Sequence, residues 1–110
     1  MLWPQRMTQW LVSDRLSEMT ERVAGRSRLA VWQRVVDKLL TLGPSEARGY
    51  IRARAVAVVH AETDRLIDQE GARVGKMRER IVSSATQSLV ETIVVQLQQR
   101  RTAQPMRHAA

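Results

Sequence analysis

Proline occurs only at Pro4, Pro44 and Pro105, and no other feature of this chain constrains its fold as strongly. A proline inside a helix removes a hydrogen bond and clashes with the preceding turn, so long proline-free runs with few glycines read as helix. Residues 5–43 and 45–104 are two such runs. Phe is absent, and the aromatic residues are Trp3, Trp10, Trp32 and Tyr50. A sheet-containing core draws on more aromatic and β-branched side chains than this. The expectation is an all-α fold.

Four helical stretches can be read. The first runs from about Pro4 to Ala24, with Pro4 in a first turn and Gly25 as a C-terminal cap. The second starts near Ser27, a candidate N-cap, and stops at Leu42 before Gly43-Pro44. Leu29, Trp32, Val35, Val36, Leu39 and Leu40 give it one broad apolar face. The third runs from about Ser45 to Glu70, with Ile51, Ala55, Val58, Val59, Leu66 and Ile67 on its apolar side. The fourth runs from Ala72 or Val74 to Arg100, with a stripe through Val74, Met77, Ile81, Ala85, Ser88, Leu89 and Thr92.

Whether residues 45–100 form one helix or two is decided by the direction of those stripes. At about 100° per residue, the third and fourth stripes differ by roughly 100°, so one straight helix would present two faces. A break at Gly71–Gly75 removes the conflict. The fold expected is therefore a three- or four-helix bundle built around a long antiparallel helical hairpin. The alternative is one long helix from about 45 to 100 in an oligomeric coiled coil. Residues 1–101 form a single helical domain on this reading, and residues 102–110 a flexible basic tail.

The chain carries a net charge of +7, and sixteen of its eighteen basic residues are Arg. The planar guanidinium suits phosphate and carboxylate partners. Arg73, Lys76, Arg78 and Arg80, with Arg100 and Arg101 further on, are candidate contacts to an anion or nucleic acid. Tyr50 is the only aromatic near the basic clusters, which argues against stacking on single strands. No run reaches the roughly 20 apolar residues that a membrane-spanning helix needs. The N-terminus lacks the apolar core of a signal peptide, and a cytoplasmic protein is the expectation.

Catalytic signatures are absent from the sequence. There is no cysteine, no Gly-rich phosphate loop with Lys and no Gly-x-Ser-x-Gly elbow. His60, Asp64 and Asp68 share a helix face beside Glu62, but only one helix contributes and no second histidine stands nearby. A solvated charged face that pairs with Arg65 is the simpler account. We expect no enzyme activity, no metal and no cofactor.

Two groups of residues point to protein contacts. Trp3, Met7 and Trp10 lie nearly opposite the face of Val12, Leu16, Met19 and Val23, and Trp with Met gives large, adaptable contact area. Ser84, Ser88 and Thr92 recur every four residues, so another helix can approach closely there. The function expected is that of a non-catalytic helical interaction or structural protein, a homo-oligomer or a small subunit of a larger assembly. The runner-up is a nucleic-acid-binding protein of low sequence specificity. Docking of the first helix on a membrane surface is weaker, since Arg6 and Arg15 do not make a one-sided basic face.

Overall fold

A computed structural model describes the backbone of residues 5–108 and the side-chain surroundings of residues 14–102. Three long helices and one short turn of helix follow in order: α1 Gln5–Leu39, α2 Pro44–Glu70, α3 Ala72–Gly75 and α4 Arg78–His108. The described residues contain no strand. The long helices run up, down and up, and each packs against the other two. The result is a rod of 68 × 25 × 22 Å.

The two reversals are built by the residues that the sequence marks for them. Gly43 is extended, at φ −72° and ψ 168°, and Pro44 follows in the first turn of α2. Ala47 N–H donates to the Gly43 carbonyl at 2.8 Å and starts the helical ladder. At the other end, Gly71 N–H donates to the Ile67 carbonyl at 2.7 Å. Gly71 then takes φ +92°, a conformation that side-chain-bearing residues rarely adopt. The chain breaks there, winds through α3, and restarts when Ile81 N–H donates to the Met77 carbonyl at 2.9 Å. The hairpin is therefore present, and one helix spanning 45–100 is not. The second arm starts at Arg78 rather than at Ala72 or Val74, because α3 occupies the intervening turn.

A second expectation is corrected more deeply. α1 continues through Gly25 without a break, so no cap or junction separates a first helix from a second. Ser27 is fully buried inside the helix and is not an N-cap. The core shows why. Its buried positions in α1 are Met19, Val23, Ser27, Val31, Val35 and Leu39, in unbroken steps of four. α2 repeats the step with Ala47, Ile51, Ala55, Val59 and Thr63, and α4 with Ile81, Ala85, Leu89, Ile93 and Leu97. A four-residue step turns a helix by about 400°, so each stripe drifts by roughly 40° per step. From Met19 to Leu39 the drift adds up to about 200°, so the row stays inside only if the helices wind around one another. Each fully buried Val, Leu or Ile contributes roughly 1.5–3 kcal/mol, so these rows hold the bundle.

The drift also splits the apolar faces read from sequence. In α1, Val35 and Leu39 are buried, Trp32 and Val36 are half-buried, and Leu29 and Leu40 are exposed. In α4, Ser88 and Thr92 are exposed and do not belong to the core stripe. Helical backbone also continues past Arg100 to His108.

Candidate interaction surface

Ion pairs tie the helices together along two of the three seams. Between α1 and α2, Arg15 and Arg22 both reach Glu70, at 3.2 and 2.9 Å. Arg26 donates to Gln69 at 3.4 Å on the same seam. Between α2 and α4, Arg48 grips Glu91 through two hydrogen bonds of 2.6 and 3.2 Å, and Arg52 donates to Gln87 at 2.7 Å. Arg22 holds the Glu70 carboxyl below the usual carboxylate range, mainly by its hydrogen bond. Arg48 does the same to Glu91, and the Arg48 guanidinium is raised in turn. Arg54 lies over the Tyr50 ring, 4.7 Å from its centre.

The acidic cluster of α2 resolves into such ties. Arg78 of α4 donates to Asp64 at 2.9 Å and meets His60 Nδ1 at 2.9 Å. The Asp64 carboxyl is lowered by the Arg78 hydrogen bond. Arg65 pairs with Glu62 at 3.0 Å. Among the described residues, no group of His, Cys, Asp or Glu is arranged to hold a metal ion. His60 and Asp64 therefore clasp two helices together through Arg78.

The candidate anion contacts separate in the same way. Arg78 is engaged with Asp64 and His60, and Arg101 donates to the carbonyls of Leu39 and Leu42 at 3.1 and 2.9 Å. Arg73, Lys76, Arg80 and Arg100 are exposed. Arg73, Lys76 and Arg80 gather at the α2–α4 reversal, whereas Arg100 lies near the far end of the rod.

The third seam, between α1 and α4, has a different character. These helices run parallel, and no ion pair crosses between them among the described residues. A groove of about 350 Å³ opens there, lined by Arg28 of α1 and by Thr92, Val95, Gln96 and Gln99 of α4. Ser84, Ser88 and Thr92 form an exposed row on α4 that steps into this groove. Leu29 of α1 is 65% exposed and Val95 of α4 is 50% exposed, the two largest values among the big apolar side chains described. The Ser84–Ser88–Thr92 row is thus legible in sequence. Leu29, Val95 and Arg28 are missed there because a broad-stripe reading folds Leu29 into the core. The four-residue step through Met19, Val23, Ser27 and Val31 is the signal that separates them.

Trp3 lies outside the described residues, and so do the side chains of Met7 and Trp10. The helical backbone that carries Met7 and Trp10 runs beyond the Arg15–Glu70 pair, at about 1.5 Å per residue. No helix among the described residues is long and apolar enough to cross a membrane. Compared with protein-family models, curated proteins and solved structures, the chain matches none of them.

Proposed function

We propose that this chain is a non-catalytic interaction protein whose α1–α4 face packs against another protein surface in a homo-oligomer or a larger assembly. The supporting observation is the groove on the one seam that no ion pair closes, with the half-exposed Val95 in its wall. An exposed apolar side chain in the wall of a groove with a polar rim suits a contact surface. The arginines of the other two seams act structurally, holding helices in register. Native mass spectrometry of the full chain purified from its own cells tests the reading. The expected result is a homo-oligomer or a complex of fixed stoichiometry. A bare monomer from gentle purification would overturn it.

A second reading has its own support. Arg73, Lys76 and Arg80 stand exposed at the α2–α4 reversal and form no ion pair among the described residues. Such a group suits contact with a phosphate backbone without base readout. Affinity for duplex DNA should then fall steeply with salt, and neutralising the three residues should flatten the slope. Binding that ignores both changes would remove this reading.

A further inference from the structure

The outward face of α1 around Gly25 has no partner inside the fold. Glu21, Gly25, Arg28 and Leu29 are all exposed. Glu21 and Arg28 form no ion pair among the described residues. Glycine weakens a helix interior relative to alanine. Nothing within the fold asks for glycine at this position, since a Cβ at Gly25 would meet no heavy atom within 4 Å. A glycine without an internal reason suits close approach from outside.

These features share a centre. Glu21 and Arg28 flank Gly25 at nearly equal distances, with opposite charge. Ser84 and Thr92 flank Ser88 symmetrically on α4. The parallel register, set by Arg28 beside Thr92 and Gln96 and by Arg101 at Leu39, puts Ser88 at about the height of Gly25. Opposite charges about a common centre are self-complementary under a two-fold rotation. An antiparallel copy brings each Glu21 to the other chain's Arg28. Charge also favours a copy of this chain over a generic partner. A chain of net charge +7 repels itself least where a contact carries few charges, and the centre of this face holds one acid and one base beside uncharged Ser84, Ser88 and Thr92.

We infer that a second copy of this chain docks antiparallel on the α1–α4 face, about a two-fold axis that runs across the face at the height of Gly25 and Ser88. Two reciprocal Glu21–Arg28 pairs form between the chains, and Leu29 and Val95 become covered. This inference rests on the interaction reading and names its partner.

Sedimentation velocity on the full chain and on Glu21→Arg, Arg28→Glu and the double swap tests it, with circular dichroism to show that each variant is folded. The wild type should be a dimer at micromolar concentration. Each single swap should weaken association by about tenfold or more, and the double swap should restore it to near the wild-type value. Leu29→Glu should leave a folded monomer. A monomeric wild type would overturn the inference, and so would a dimer that either ignores the single swaps or is not restored by the double swap. A dimer indifferent to the swaps leaves the broader interaction reading standing. A monomer that binds a different protein in fixed stoichiometry does the same.

Discussion

The guanidinium of Arg101 donates to the main-chain carbonyl of Leu39 at 3.1 Å, joining the far part of α4 to the last turn of α1. The same nitrogen reaches the Leu42 carbonyl at 2.9 Å. Carbonyls at a helix C-terminus lack intrahelical donors, and a cation there also complements the helix dipole. Arg101 is half-buried, so its hydrogen bonds are partly shielded from water. Arg101→Ala should lower unfolding stability by about 1–2 kcal/mol. Arg101→Lys should recover only part of that, because one ammonium does not reproduce the guanidinium geometry. Urea titration followed by circular dichroism measures both.

Ser27 gives a prediction of opposite sign. Its side chain is fully buried in the α1 core row, and its hydroxyl has no hydrogen-bond partner. An unsatisfied buried hydroxyl is costly, and alanine is the better helix former. Ser27→Ala should raise stability by about 1 kcal/mol, read as a higher urea midpoint at unchanged slope.

Gly49 isolates the helix-propensity effect from association. It sits exposed within α2, away from the α1–α4 face, and a Cβ there meets nothing within 4 Å. Gly49→Ala should stabilise the fold by about 0.5–1 kcal/mol and leave the oligomeric state unchanged. Gly25→Ala should also strengthen its helix but loosen the dimer, a divergence visible when thermal melts and sedimentation are compared.

The ion pairs set the response to acid. Glu70, Asp64 and Glu91 have carboxyls lowered by their arginine partners. A carboxyl lowered in the folded state binds fewer protons there than in the unfolded chain. Its contribution is therefore complete above the ordinary carboxylate range near pH 4 and is lost as pH falls through the lowered folded value. Urea midpoints should be flat from pH 7 to about pH 5 and fall below that. Glu70→Gln should reduce the acid-linked part of the loss.

The reversals of this fold are plain in the sequence because their chemistry is local. Gly43-Pro44 and Gly71 act through φ and missing donors, and both chain reversals fall where these residues stand. Gly25 carries the same residue type and no reversal follows, because its environment decides the outcome. An isolated glycine weakens a helix by about 1 kcal/mol, which the burial of Met19, Val23, Val31 and Val35 on either side outweighs. Ser27 misleads in the same way, since a hydroxyl suits an N-cap unless tertiary packing buries it. The ties from Arg48 to Glu91 and from Arg78 to Asp64 join residues far apart in the chain. No local pattern encodes them, and they appear only once the helix register is known. The row Ser84, Ser88 and Thr92 is readable from spacing alone, whereas its alignment with Gly25 depends on the parallel register of α1 and α4.

The most direct measurement uses the absence of cysteine from the chain. Gly25→Cys and, as a control, Gly49→Cys each introduce a single thiol on an exposed helix surface. Under mild oxidation, Gly25→Cys should give a disulfide-linked dimer far faster than Gly49→Cys at equal concentration, because the two-fold axis brings both copies of position 25 together. Equal, slow cross-linking at both positions would contradict a dimer built on the α1–α4 face.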